Sequence, residues 1–256
     1  MTDAAQPWLA PATAESRRFN LRIVRGRLDG ILPPPGMLEK EITTLQPDLV
    51  ILRLRAGVMA PIHELIGNGF VPIHADTLVY HVRQLDQAII DNGRHAALGV
   101  ELANHADRAR IAEIARNAFS SYRSHYHANP RLDPGLIGEG YAEWAVLFID
   151  TQAADHETWV VRMNGEIVGF ATCALSHPGT SAEVVLNAVD PVHAGRGIYG
   201  HLLNRILLAY QTRGLTSVRI STQVWNFVVQ RAWAHAGFVI SQAYDTYHIN
   251  IPQWQG

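Results

Sequence analysis

Three glycines in a short stretch mark the place where this chain is best suited to hold a phosphate group. Gly195, Gly197 and Gly200 lie in the segment GRGIYG, shortly after an apolar stretch that ends at Asp190-Pro191. An amphipathic helix is predicted to follow this segment directly. Glycine lets a backbone approach a ligand closely, and the unpaired N–H groups of a first helical turn attract anions. The spacing therefore predicts a phosphate-binding loop between a strand and a helix.

The residues around this loop decide which phosphate ligand it suits. The loop spells G-x-G-x-x-G, but a dinucleotide site also needs a carboxylate about 20 residues further on for the ribose. Residues 213–225 contain no Asp or Glu, and fewer than 60 residues follow the loop, too few for the rest of a doubly wound sheet. A P-loop needs Gly-Lys and then Ser or Thr, whereas His201 follows Gly200. The pyrophosphate of coenzyme A is the interpretation that remains.

The overall composition argues against several other classes of protein. The chain has 256 residues, of which 48% are hydrophobic and 17% charged, and a net charge of −2, so no broad field favours nucleic acid or a membrane surface. Cys173 is the only cysteine, and His125 and His127 have no third ligand nearby, so we predict no metal site. No apolar run reaches about 18 residues, and the start lacks a secretory pattern. We expect a cytoplasmic protein whose first 18 residues form a loose arm.

The hydrophobic pattern predicts α/β structure in two parts, 1–95 and 96–256, joined by the polar stretch 85–95. Asn164-Gly165 is a strong hairpin signal, and Gly214 suits the end of a helix. In the first part we predict strands at 21–25, 48–53 and 77–83 and helices at 37–45 and 61–68. In the second part we predict helices at 107–119 and 227–236, and a third that follows Gly200 directly and ends at 213. The predicted strands are 158–162, 166–175, 217–222 and 244–249, with one more from 184 to the residue before Asp190. The segment 141–149 is left open.

A faint internal repeat links the two parts. Gly69-Phe70-Val71 and Gly237-Phe238-Val239 each follow a predicted short helix and lead into a predicted strand. Duplication and chance recurrence of Gly-Phe both remain open with two copies. The first part has three prolines within 30–36 where the second has its glycine loop. Proline donates no N–H, so we predict that the first part serves as a scaffold or acceptor wall and binds no phosphate.

The order of motifs over residues 106–249 resembles the GNAT N-acetyltransferases. These motifs are the hairpin, V-x-P-x-x-x-G-R-G-I-x-G, a helix, a strand, Asn226, a helix and Gly237-Phe238. The resemblance implies the GNAT fold, a mixed, mostly antiparallel central sheet with a splayed strand, preceded by a smaller, partial GNAT-like α/β half. It implies acetyl-CoA as the acyl-donor cosubstrate. The residues it assigns to that ligand are Ala188, Val189, Gly195, Arg196, Gly197, Ile198, Tyr199, Gly200 and Asn226.

Shorter segments are similar to one branch of this family, the enzymes that acetylate nucleotide-linked amino sugars. These segments are 118–123, 187–191 and 222–226. The sequence also departs from the family, with Ala194 and Tyr199 at two loop positions. Trp233 stands seven residues after Asn226, where the family usually has a tyrosine that protonates the departing thiolate. An indole N–H can donate a hydrogen bond but is not a proton acid.

The resemblance implies direct attack of an amine on the thioester, with the oxyanion held by a backbone N–H near Val189. The catalytic candidates are Glu183, Asn187 and Trp233. Glu183 suits a general base, but it also suits a solvent-exposed carboxylate at the start of the strand. Asn187 suits a group that orients a water molecule, but it also suits a side chain that hydrogen-bonds to backbone groups in the splayed strand. Trp233 suits a thioester contact but also an apolar helix face. The acceptor-pocket candidates, each of which also suits a packing or surface role, are Arg123, Tyr126, Tyr141, Trp144 and Tyr247.

The sequence thus predicts an acetyl-CoA-dependent N-acetyltransferase that acts on a nucleotide-linked amino sugar. One alternative is a GNAT enzyme for another amine, such as an antibiotic, a polyamine or a peptide N-terminus. A second is a GNAT-shaped module that binds CoA without catalysis. The expected partner is a small-molecule amine, with no nucleic acid or membrane, and a homodimer stays open.

Overall fold

The computed structural model describes residues 7–89, 95, 97–151, 153–176 and 179–252. The strands within these residues are β1 Ala10–Pro11, β2 Ile23–Leu28, β3 Leu49–Arg55, β4 Pro72–Gln84, β5 Gly99–Leu102, β6 His156–Met163, β7 Glu166–Leu175, β8 Ser181–Val189, β9 Ser217–Gln223 and β10 Val239–Asn250. The α-helices are α1 Thr13–Phe19, α2 Met37–Leu45, α3 Ala60–Gly67, α4 Arg108–Phe119, α5 Ile137–Thr151, α6 Ile198–Thr212 and α7 Phe227–His235.

The chain divides into two compact units, each built from separate stretches. Unit 1 comprises Met1–Val79, Arg123–Leu136 and Gln242–Gly256, and unit 2 comprises Tyr80–Tyr122 and Ile137–Ser241. These units differ from the predicted parts 1–95 and 96–256, because the long strands β4 and β10 each supply residues to both units. The two-domain division stays a prediction.

Unit 1 contains strands in the order β1-β2-β3-β10. β2 runs parallel to β3, from Ile23 opposite Leu49 to Leu28 opposite Leu54, and β10 runs antiparallel to β3. One face packs on α2 and α3. That core includes Val24, Leu38, Ile42, Val50, Leu52, Leu54, Ile62, Leu65 and Ile249.

Unit 2 contains strands in the order β4-β9-β8-β7-β6-β5. The predicted hairpin is confirmed, since β6 and β7 are antiparallel neighbours and the turn residues Asn164 and Gly165 have φ of 53° and 85°, as a two-residue turn of this kind requires. The core against α6 includes Val161, Val168, Cys173, Val184, Leu202, Ile206, Leu207, Tyr210 and Ile220.

The parallel strands β8 and β9 separate halfway along their length. They pair from Ser181 opposite Ser217 to Val184 opposite Ile220, although β8 continues to Val189. β8 stays paired with β7, where the register shifts between Thr172 and Cys173, and such irregularities bend and twist a strand. The predicted splayed strand in a mixed sheet is therefore confirmed. β2 and β3, in contrast, remain paired to the end of β2.

The structure also differs from the predictions. Within the described residues the N-terminal arm is not loose, because residues 10–19 contain β1 and α1, and the backbone N–H of Leu9 donates to the Glu41 carboxylate at 2.7 Å. Residues 1–6 of the predicted arm lie outside the described residues. A seven-residue helix without a side-chain N-cap leaves almost no signal in a sequence. The open segment 141–149 lies within α5. Part of the predicted linker, residues 90–94, lies outside the described residues.

The repeat has a structural counterpart. The stretches β2-α2-β3-α3-β4 and β8-α6-β9-α7-β10 have the same order of elements. Gly69 and Gly237 both have positive φ, 87° and 80°, and end α3 and α7 with the same pair of backbone hydrogen bonds. This agreement over five elements favours duplication over chance. Within the described residues, no helix is long and apolar enough to cross a membrane.

Candidate functional site

The predicted phosphate loop connects β8 to α6. Asp190 closes β8, is buried, and accepts a hydrogen bond from the backbone N–H of Val192 at 3.1 Å. The Arg110 guanidinium pairs with the same carboxylate and anchors the start of the loop. Gly195 and Gly197 have φ of 75° and 76°, a left-handed conformation that disfavours side chains. The loop therefore needs glycine at these two positions.

The end of this loop is suited to bind an anion. Gly197 is the N-cap of the 15-residue helix α6, and among the described residues no side chain caps the helix. The first N–H groups of an α-helix have no intrahelical acceptor and carry the positive end of the helix dipole. Arg196 is exposed next to them. All of the predicted loop ligands from Gly195 to Gly200 thus lie at one helix N-terminus.

The gap between β8 and β9 adjoins the loop. Ala188 and Val189 lie beyond the last β8–β9 pair, so their backbone on that side lacks a strand partner. Asn226 immediately follows β9 and precedes α7, and its side-chain amide donates to the Thr222 hydroxyl at 3.0 Å. Unpaired strand backbone can bind an extended, amide-containing ligand. The arrangement suits the pantetheine arm of CoA, with its pyrophosphate at the loop.

The two family departures at Tyr199 and Trp233 contact each other. Trp233 is 1% exposed, and its indole N–H donates to the Tyr199 hydroxyl at 2.6 Å. Burial raises the pKa of Tyr199, which keeps the phenol protonated. The ring of His81 lies edge-on to Trp233 at 5.1 Å, and burial lowers the pKa of His81. The sequence showed both departures but not that they meet.

The other catalytic candidates lie on β8. The alternating burial along the strand places Glu183 and Asn187 on the same face. Glu183 pairs with Arg219 at 2.5 Å in the part where β8 and β9 are still joined. Asn187 lies in the separated part, opposite Ala171 of β7, and is half-buried. Asn187 is therefore on the section of β8 that adjoins the gap.

The structure does not bring the five predicted acceptor residues into one unit. Arg123, Tyr126 and Tyr247 belong to unit 1, and Tyr141 and Trp144 to unit 2. Tyr126 donates to Glu15 at 3.1 Å, while the Tyr247 hydroxyl lies 3.4 Å from the Met59 sulfur. Tyr141 stacks on Phe119, and Trp144 is 40% exposed. Their role in acceptor binding stays a prediction.

Sequence reasoning missed an aromatic cluster at the end of β9. The Tyr122 hydroxyl donates to the Gln223 side chain and lies 3.2 Å from the Thr222 hydroxyl. Its ring lies 5.3 Å from Trp225 and 5.4 Å from Phe119. These residues fall in segments 118–123 and 222–226, which the sequence singled out by resemblance. Their grouping required α4 to pack near the end of β9, which sequence spacing does not reveal.

A glycine-bearing helix N-terminus beside two separated parallel strands is the arrangement that the resemblance to the GNAT N-acetyltransferases implies for CoA. The acetyltransferase (GNAT) family model matches residues 112–238, from α4 to the residue before β10. Residues 112–238 belong to the GNAT family of N-acetyltransferases, which use acetyl-CoA as acyl donor. The match contains the loop, the separated strands and Asn226.

Solved structures share this fold along most of the chain. A GCN5-related N-acetyltransferase from Sphaerobacter thermophilus has a TM-score of 0.61 at 16% identity, with coverage of 93% of this chain and 75% of that one. A tandem GNAT protein from the clavulanic acid biosynthesis pathway has 0.59 at 12%, with 91% and 79% coverage. A GCN5-related N-acetyltransferase from Kribbella flavida has 0.56 at 14%, with 91% and 83%. No curated protein matches the sequence.

Proposed function

We propose that this enzyme transfers the acetyl group of acetyl-CoA to the amine of a nucleotide-linked amino sugar, as TDP-fucosamine acetyltransferases do. The separation of β8 from β9 directly before the glycine loop carries the catalytic part of the proposal. The similarity of segments 187–191 and 222–226 to that branch supports the acceptor class. The cellular location consistent with this reaction is the cytoplasm.

The backbone supplies most of the catalytic groups in this mechanism. The N–H groups of residues 197–200 bind the pyrophosphate, and the free edge of β8 aligns the pantetheine arm. The N–H of Val189 stabilises the oxyanion that forms when the amine attacks the thioester carbonyl. Glu183 is held by Arg219 in an ion pair and does not act as the base in this proposal. Asn187 instead orients a water molecule, and this water removes the proton of the amine.

Tyr199 is the proton donor to the departing thiolate in our proposal. Its hydroxyl accepts the indole hydrogen of Trp233 and therefore keeps its own hydrogen available for donation. The phenol of Tyr199 is protonated at neutral pH, as that of any tyrosine is, and burial raises its pKa further, so its proton moves only as negative charge develops on the sulfur. Tyr199 thus places a phenol beside the position where the family usually has one.

An acceptor panel tests the proposed reaction. Release of free CoA thiol is measured with a TDP-linked amino sugar, the same amino sugar without nucleotide, a polyamine, an aminoglycoside antibiotic and a peptide N-terminus. We expect the highest kcat/KM with the nucleotide-linked sugar. Higher kcat/KM with another amine would overturn the acceptor class but not the reaction. Bound CoA without turnover on any amine would favour the non-catalytic module.

A further inference from the structure

Unit 1 has a polar sheet face that the proposed reaction does not use. It lies opposite the face that packs on α2 and α3, because side chains alternate along a strand. The register aligns Arg25 with Ile51 and His248, then Arg27 with Arg53 and Thr246, and then Arg55 with Tyr244. The arginine face, as we call it, comprises Arg25, Arg27, Arg53, Arg55, Thr246 and His248.

Positive charge is concentrated on the arginine face. Arg25 pairs with Glu15 at 3.0 Å and Arg27 with Asp29 at 2.8 Å, and the Arg53 Nε donates to the Thr246 hydroxyl at 3.3 Å. Arg55 is exposed and has no ion pair among the residues that the structure describes. This local excess contrasts with the net charge of −2 for the whole chain.

A buried pair of histidines ends in a hydrogen-bond donor that lacks an acceptor. Arg25 can only donate, so Nε2 of His125, 3.2 Å away, accepts. Burial, and then Arg25, lower the pKa of His125 well below its usual value, so the ring is neutral and carries its hydrogen on Nδ1. That hydrogen is donated to Nε2 of His248 at 2.8 Å.

His248 must then carry its own hydrogen on Nδ1. Its pKa is lowered to about 4 by burial and by the charges of Arg25 and Arg53, so this ring is neutral too. The side chain is 0% exposed, and Nδ1 has no hydrogen-bond partner among the described residues. The direction of the hydrogen bonds therefore leaves a buried N–H donor on a face rich in arginine.

We propose that the arginine face binds the phosphate or diphosphate group of a small molecule, with the Nδ1–H of His248 and the guanidinium groups of Arg53 and Arg55 as donors. Arg53 pairs with Thr246 and is thus a diagonal neighbour of His248, at a spacing of about 7–8 Å that long side chains span. Guanidinium groups bind phosphate through paired N–H donors. This site does not depend on the acetyl-transfer reaction, because it is defined by the binding of an anion and not by catalysis.

Calorimetric titration with inorganic pyrophosphate tests this site in the full chain. CoA is kept saturating so that the glycine loop is occupied. We expect the Arg53→Gln, Arg55→Gln double variant to bind pyrophosphate at least about 10-fold more weakly, since each lost hydrogen bond is charge-assisted. Arg108→Gln, which removes an arginine paired with Asp150 in unit 2, is the matched control and should bind as the wild type does. Absent binding in the wild type, or equal binding in the double variant, would overturn the proposal.

Three further measurements identify the ligand, guard against misfolding and test His248 as a donor. The binding of thymidine diphosphate, pyrophosphate and thymidine is compared. Tighter binding of the nucleotide than of pyrophosphate indicates a nucleotide ligand, and equal binding indicates a free phosphate compound. Thymidine binding as tightly as its diphosphate contradicts the site.

Arg55→Gln alone changes only an exposed side chain and should also weaken pyrophosphate binding. The ¹⁵N resonance of His248 Nδ1 should shift when pyrophosphate is added, and an unchanged resonance contradicts its role as donor.

Discussion

At position 233 an indole replaces the phenol of the family, and a phenol stands beside it at position 199. The indole fills a fully buried position in α7, and its single donor is satisfied by Tyr199. A buried indole N–H without an acceptor would cost about 1–3 kcal/mol of stability. The Tyr199 hydroxyl removes this cost, so Tyr199 and Trp233 are compatible as a pair. The departure at Tyr199 is thus explained by Trp233, which neither position reveals alone.

The proton-donor role of Tyr199 predicts different effects for the two residues. Tyr199→Phe should lower kcat by about 10²-fold, the lower end for a lost general acid. Trp233→Phe should retain kcat within about 10-fold, because an apolar ring remains. The double variant Tyr199→Phe, Trp233→Tyr returns a phenol to the usual family position and should regain part of the rate. Rates are compared at saturating acetyl-CoA for variants with unchanged melting temperature; an unaffected kcat in Tyr199→Phe would show that the proton comes from elsewhere.

The buried histidines of unit 1 predict acid sensitivity. The folded pKa of His248, about 4, lies below its unfolded value of about 6.5, so the unfolded chain binds more protons between these values. The neutral His248 ring therefore stabilises the folded state fully above pH 6.5. This stabilisation is lost as the pH falls towards 4, and the loss at pH 5 is on the order of 2 kcal/mol. Urea unfolding at pH 7 and pH 5 measures this loss. His248→Gln should reduce it, whereas His63→Gln, an exposed change on α3, should not; identical pH slopes in all three proteins would contradict the assignment.

The connection between β8 and α6 is the element on which CoA binding depends. Gly197→Pro places a residue restricted to φ near −65° where the backbone has 76°, and it removes one N–H from the loop. We expect CoA binding to be lost while the far-UV circular dichroism spectrum, which reports secondary structure, is unchanged. Gly67→Ala is the control for a glycine substitution, since Gly67 lies in α3, outside the loop, and a Cβ there meets no atom within 4 Å. CoA affinity equal to that of the wild type in a folded Gly197→Pro variant would place the pyrophosphate elsewhere.

Local signals allowed several elements to be predicted and left others out. The bounds predicted for α2 and β7, 37–45 and 166–175, match the structure, because their apolar pattern and flanking turn residues are local. The glycine loop was predictable for the same reason. The acceptor candidates were chosen by residue type, and the structure divides them between units, because pocket walls depend on which distant segments pack together. α1 was missed because its stability comes from contacts such as that of the Ser16 hydroxyl with Ile23, and not from capping.

At the scale of the whole molecule, one arrangement of elements occurs twice with different chemistry. The copy in the second half of the chain has separated strands and a glycine loop. The copy in the first half keeps β2 and β3 paired along the whole of β2, and its loop at 30–36 contains three prolines. Its polar groups are instead the side chains on the arginine face. If both proposals hold, one order of elements carries a backbone site for CoA in the second copy and a side-chain site for an anion in the first.

This difference predicts one CoA site per chain. The first copy offers no gap for a pantetheine arm, because β2 remains bonded to β3, and Pro33, Pro34 and Pro35 supply no N–H groups for a pyrophosphate. Calorimetric titration with CoA should therefore give a stoichiometry of one, and Gly197→Pro should abolish that signal. A second CoA equivalent with comparable affinity in the wild type, or one that persists in Gly197→Pro, would show that the first copy also binds the cofactor. Weak residual binding that disappears in the Arg53→Gln, Arg55→Gln double variant would instead locate the phosphates of CoA on the arginine face, because those residues lie outside the glycine loop.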